Sequence, residues 1–258
     1  MGTAGAACWL LAASAFGASS ARADPQGLST NVPVQIEDAF PATEQGQAQF
    51  QWDGVYLRDP HDSSGTHAVT TGPTLKLGLL PHTQIDINPG YTAGDSSSAN
   101  QGTTSLDALV QLRGNSRFLP ALAVHGFYEI PYGAGHKSAQ YTVRGIATKY
   151  LGSSKRSPRL HLNLTWVHVT QPDQQTRRDQ LEIAGGVSFL VGPSTGMVVD
   201  AVHGAAPTIG ENRTFVDAGF IRDLTPDWSV GIGAGAGVAQ QSPQARVFFS
   251  AQYSFGIF

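Results

Sequence analysis

Every second residue is apolar in segment after segment of this chain, and a period of two marks a strand with one greasy face. The clearest stretch is Ser229 to Gln240, "SVGIGAGAGVAQ", where Gly231, Gly233, Gly235 and Gly237 alternate with Val230, Ile232, Ala234, Ala236 and Val238. Read as a loop, Gly231 to Ala236 fits the G-x-G-x-x-A form of the dinucleotide fingerprint. That fingerprint needs a helix opening at the loop and an acidic residue roughly 20 positions on. No acidic residue follows Asp227. The stretch is therefore a strand with one nearly bare face. Glycine weakens a strand, so a run of it points to a close approach on that side.

About twelve alternating segments follow one another, each near the roughly 9–11 residues that cross a bilayer at a tilt. They are Ala48 to Leu57, Thr74 to Leu80, Thr83 to Tyr91, Ser105 to Arg113, Pro120 to Ile130 and Tyr141 to Leu151. Arg159 to Val169, Gln180 to Phe189, Thr195 to Val202, Thr214 to Ile221, Trp228 to Ala239 and Arg246 to Phe255 complete the set. Tyr141 to Leu151 is ambiguous, because Arg144 and Lys149 fall on opposite faces; a bulge there would change the register. Short connections fall at "LPHT", "VGPS" and "LTPD", and longer polar ones at 58–70, 92–104, 170–178 and 203–212. An even strand count with tight turns at one end and long loops at the other is the habit of bacterial outer-membrane barrels.

The amino terminus reads as an export leader. Ala6 to Gly17 is an apolar run followed by "ARA" before Asp24, which sets a signal peptide over 1–23. The run is shorter than the ~18 apolar residues of a membrane helix. No Lys or Arg precedes it, a departure from the usual leader. Cys8 is the single cysteine and leaves with the leader, so the exported chain has no disulfide and no cysteine metal site. Loss of Arg22 leaves 15 basic against 19 acidic residues, a balance that argues against nucleic acid as a partner. Residues 24–46 read as a polar periplasmic lead-in, and 47–258 as the barrel.

A soluble sandwich and a membrane barrel give the same alternation; the ends of the segments separate them. Tyr91, Trp166, Trp228 and Phe255 sit near segment ends, where interfacial girdles lie. In the last segment Val247, Phe249, Ala251, Tyr253 and Phe255 alternate, and the chain closes on Phe258. Val247, Phe249, Tyr253, Phe255 and Phe258 resemble the assembly signal of outer-membrane barrels. The fold expected is all-β, an antiparallel transmembrane β-barrel of about 12 strands, in the outer membrane of a Gram-negative bacterium. Outer-membrane lipids and the barrel assembly machinery are its expected partners.

The stretch "FVDAGFIRDLTPDWSVGIGAGAGVAQQSPQARVFFSAQYSF" resembles the C-terminal end of the outer-membrane proteins named for the phenol meta-cleavage pathway, with a Gly-rich penultimate strand, a short "SP" connection and a closing "YSF". "GLLPHTQIDI" resembles that family's early hairpin. The usual terminal Phe of outer-membrane barrels corresponds to Phe255, leaving "GIF" as an extension. The resemblance implies a porin-like barrel passing small, often aromatic, solutes and linked to phenol degradation. It brings no binding motif.

Covalent chemistry finds no support. His125 and Glu129 share a face, but four residues along a strand is roughly 13 Å. His61, Asp62, Ser63 and His67 gather in "PHDSSGTH" with no fixed ligand geometry, and a solvated loop accounts for them. His161 and His168 fall on opposite faces. No catalytic set, cofactor or metal site is expected. The inward polar set is Lys76, Asp86, Asp107, Arg113, Glu129, Lys149, Glu182, Asp200, Asp217 and Arg246, either lining a selective bore or pairing into a network that fills it. The expectation is a passive channel. The alternatives are a plugged structural or adhesive barrel working through its outside loops, an outer-membrane lipid hydrolase, and a soluble periplasmic sandwich.

Overall fold

The computed structural model describes residues 34–58, 67–95, 100–133, 138–154, 156–239 and 242–257. The leader, His61, Asp62, Ser63 and Phe258 lie outside these. Twelve strands follow in order: β1 (Gln47–Arg58), β2 (His67–Leu80), β3 (Thr83–Gly94), β4 (Gln101–Arg113), β5 (Ala121–Gly133), β6 (Gln140–Tyr150), β7 (Arg159–Val169), β8 (Asp179–Gly192), β9 (Thr195–Ala205), β10 (Asn212–Asp223), β11 (Trp228–Gly237) and β12 (Ala245–Gly256). Each pairs antiparallel with its neighbours, and β1 pairs with β12 from Gln47↔Gly256 to Arg58↔Ala245, closing the barrel. Closure leaves no unpaired edge, which a sheet exposed to hydrocarbon requires.

The apolar faces point outward. Leu160, Leu162 and Leu164 of β7 are 47%, 52% and 58% exposed, while the alternate His161, Asn163 and Thr165 are buried. A sandwich would bury the leucines, so this sheet is turned inside out relative to a water-soluble one. Aromatics cluster towards both rims. Tyr56, Tyr91, Tyr132, Tyr141 and Trp166 lie near one end of the barrel; Trp228, Tyr253 and Phe255 lie near the other, with Trp228 and Tyr253 in ring contact at 4.9 Å.

The strands are 10 to 14 residues long, and β2 begins seven residues before Thr74. Alternation of apolar residues reports only the band that faces hydrocarbon, whereas ladder hydrogen bonds carry the wall beyond it. The polar stretch 92–104 shrinks accordingly to a connection over 95–100. Two connections at the turn end are tight: 81–82, where His82 adopts a φ of 60°, and 193–194. At the same end, however, 114–120 and 151–158 match the loops opposite in length, so the expected asymmetry is partial.

The glycines of β11 answer to their neighbours. A side chain at Gly233 would overlap the Phe248 ring and sit 2.6 Å from the Ala218 carbonyl oxygen. One at Gly235 would overlap the Asp217 carboxylate, and one at Gly231 would lie 2.5 Å from Ser250 Oγ. Bulk from β10 and β12 lies across β11, so β11 carries none. Gly233→Val is expected to destabilise the folded barrel by about 1–3 kcal/mol, the usual cost of overpacking. Urea unfolding in detergent micelles, followed by tryptophan fluorescence, measures it; an unchanged midpoint would contradict this packing.

Residues 34–46 do not stand outside the wall as a lead-in. They run within the barrel, and that expectation is corrected for this stretch. Gly46, with φ 84°, turns the chain from the bore into β1, its N–H bonded to the Gly78 carbonyl and its own carbonyl accepting from Ile257 N–H. Two apolar clusters hold the segment. Ile36 packs with Ala184, Val198, Val202, Ile221 and Phe248; Ala39 packs with Leu109, Ala121, Ala123 and Ile146, with Phe40 alongside.

Candidate functional site

Irregular backbone inside a barrel must find hydrogen-bond partners, because no ladder supplies them. Inward side chains of the wall take that role here. Asp200 Oδ2 accepts from the N–H groups of Gln35 and Ile36 at 2.9 and 3.0 Å. Asn163 brackets Glu37, accepting from its N–H at 2.6 Å and donating to its carbonyl at 3.1 Å. Thr148 Oγ1 accepts from Ala39 N–H at 3.0 Å, and Gln84 Oε1 from Ala42 and Thr43 at 2.6 and 3.2 Å.

Charge does the rest. Glu37 Oε1 lies 2.6 Å from His125 Nδ1, and Oε2 accepts from Arg144 Nη1 at 3.0 Å. Burial pushes the Glu37 carboxyl up, but His125 and Arg144 outweigh it and hold it at about 2. Asp38 pairs with Arg159, both buried, and the Arg159 guanidinium lies 4.6 Å from the centre of the Tyr150 ring. The segment is thus fastened to β3, β5, β6, β7 and β9 by side chains far apart in sequence.

The ten residues proposed for the bore divide. Asp86, Asp107, Asp200, Asp217 and Arg246 are buried on the inner face. Asp217 and Arg246 form a two-pronged pair, with Nε to Oδ1 at 2.5 Å, and the guanidinium lies 4.4 Å from the Phe215 ring centre. Lys76, Glu129 and Glu182 share the inward face and are half-buried; Glu182 accepts from Arg213 at 2.9 Å. Arg113 lies at the inward end of β4 but is spent on the Pro120 carbonyl, at 3.2 and 2.7 Å. Lys149 faces the other way. Its Nζ donates to the carbonyls of Ser116 and Arg117 at 2.5 and 2.9 Å, and Arg144 is the inward cation of β6. His161 bridges Thr148 and Ser188 at 3.2 and 2.8 Å, part of the wall's own network.

Sequence reasoning missed Glu37, Asp38, Arg144 and Arg159. The pattern "IEDAF" over 36–40, two acids flanked by apolar residues, held the clue that this stretch is not a plain solvated tether. Beside the segment a cavity of about 590 Å³ opens, lined by Phe40, Pro41, His82, Arg113, Tyr150 and Arg159.

No family model matches the chain, and no curated protein matches it. Solved structures do. An outer membrane channel from Pseudomonas putida F1 aligns with a TM-score of 0.62 at 11% identity, over 86% of this chain and 100% of that one. The NanC porin aligns with a TM-score of 0.54 at 10% identity, over 80% and 98%. The KdgM porin in complex with disordered oligogalacturonate aligns with 0.51 at 10%, over 81% and 99%. At these identities the likeness establishes the fold: a closed twelve-stranded barrel of the kind found among outer-membrane channels and porins.

Proposed function

We propose that this chain is a passive outer-membrane channel for small solutes, exported by the leader over 1–23 and inserted by the barrel assembly machinery through β12. The observation that carries the reading is a closed wall with apolar residues outside and a charged, polar lining within. Val247, Phe249, Tyr253 and Phe255 all lie on the outward face of β12, where an assembly factor and then lipid would meet them; Phe258 is outside the described residues. The solutes proposed are small aromatic or hydrophobic molecules. Phe127, Tyr150, Phe215 and Phe248 stand among the inward charges, and the closing strands resemble the phenol meta-cleavage family. Lys76, Asp86, Asp107, Glu129, Glu182, Asp200, Asp217 and Arg246 are the proposed lining, joined by Arg144 in place of Lys149.

A second reading has its own support: residues 34–46 occupy part of the bore, as in a plugged structural or adhesive barrel. Conductance separates the two. The folded full-length mature chain in planar bilayers is expected to give discrete single-channel steps, with flux reduced by added phenol. A folded barrel that passes neither ions nor phenol would overturn the channel reading.

A further inference from the structure

Three buried side-chain atoms on neighbouring strands of the inner wall have no hydrogen-bond partner among the described residues: Asp86 Oδ1, Asp107 Oδ1 and His125 Nε2. The same three residues each offer one ligand atom, and those atoms all lie within 4.8 Å of one another. The three residues are only 5%, 7% and 3% exposed. Strand register assembles them. Asp86 of β3 stands directly opposite Asp107 of β4, and His125 of β5 lies two residues from Phe127, the partner of Asp107.

Two carboxylates face to face in a ladder repel one another, and a buried anionic oxygen without a partner costs several kcal/mol, on the order of a lost charged hydrogen bond or more. A cation between them removes both costs. Two of the remaining polar atoms are already committed. Gln84 Nε2 donates to Asp86 Oδ2 at 2.8 Å. Glu37 holds His125 Nδ1 at 2.6 Å, the contact by which a carboxylate fixes the tautomer of a metal-ligating histidine and leaves Nε2 for the ion.

We infer that Asp86, Asp107 and His125 bind one divalent first-row transition ion, and that the ion steadies the internal segment through the His125–Glu37 contact. One imidazole with two carboxylates suits such ions, whereas Ca²⁺ and Mg²⁺ take all-oxygen sets. Metal–ligand bonds of about 2.0–2.2 Å ask the three atoms to draw together by on the order of 1 Å, within reach of side-chain rotation. Binding stands independently of conduction; the ion's effect on the bore rests on the channel reading.

The test uses the full mature chain, folded in detergent and stripped with EDTA. Equilibrium dialysis with Zn²⁺ is expected to give one ion per chain, and Co²⁺ is expected to give a visible d–d spectrum at the same stoichiometry. The double variant Asp86→Asn/Asp107→Asn and the single variant His125→Gln lose both, with folding checked by heat-modifiable gel migration. Glu37→Gln keeps the ion with affinity lower by about 10–100-fold. Glu182→Gln, in an inward pair elsewhere in the bore, keeps full affinity. Absence of stoichiometric binding in the folded wild type, or undiminished binding in the double variant, overturns the site. If any substitution prevents folding, the wild-type dialysis and Co²⁺ spectrum still decide.

Discussion

Removing residues 34–45 from the mature chain is expected to raise single-channel conductance several-fold in planar bilayers and to shift selectivity towards anions. The segment fills part of the bore, so its removal widens the narrowest passage. It also carries off Glu37 and Asp38, the partners of Arg144 and Arg159. Two negative charges thus leave the bore beside cations that stay, and a lining with less fixed negative charge favours anions. Reversal potentials in a salt gradient read the selectivity; conductance histograms read the width. The wall does not depend on the segment for its ladder, so the truncated barrel is expected to fold and remain heat-modifiable. If conductance and reversal potential both stay at their full-length values, residues 34–46 are not the constriction.

The second large effect concerns Arg246. Its pairing partner Asp217 has a fully buried side chain, and the Arg246 side chain is 7% exposed. Arg246→Met strands that anion between β9, β11 and β12, and breaking a buried pair from one side costs about 3–5 kcal/mol. Adding Asp217→Asn removes the stranded charge and is expected to recover most of the loss, because the penalty lies in the unpaired ion more than in the missing bond. Urea midpoints in micelles compare the three proteins. A single variant as stable as the parent would mean that water reaches this pair and that the bore is open at this level.

Much of this molecule is legible along the chain. Alternation is a local property: Leu160, Leu162 and Leu164 opposing His161, Asn163 and Thr165 fixes both the strand and its two faces before any fold is known. The same holds for β11, where Val230, Ile232, Ala234 and Ala236 face out and the bare glycine face announces that something lies close. Where alternation fails, local reading fails with it. Around 141–151 each face carries one cation, so the pattern cannot choose; the pairings Arg144↔Thr165 and Lys149↔Leu160 choose, setting Arg144 beside an inward residue and Lys149 beside an outward one.

What meets inside the barrel follows a different logic. Asp86, Asp107 and His125 are each unremarkable on their own strands, and they become one cluster only because the register of β3, β4 and β5 stacks them. The segment over 34–46 has no periodicity to betray it, since its backbone bonds go to side chains of β3, β6, β7 and β9 and not to a ladder. Strand, face and count belong to short-range chemistry, which the order of residues carries openly. Occupancy of the bore and the partners of its buried charges belong to contacts distant along the chain, such as Asp38 with Arg159 and Ile36 with Asp200, and those exist only once the wall has closed on itself.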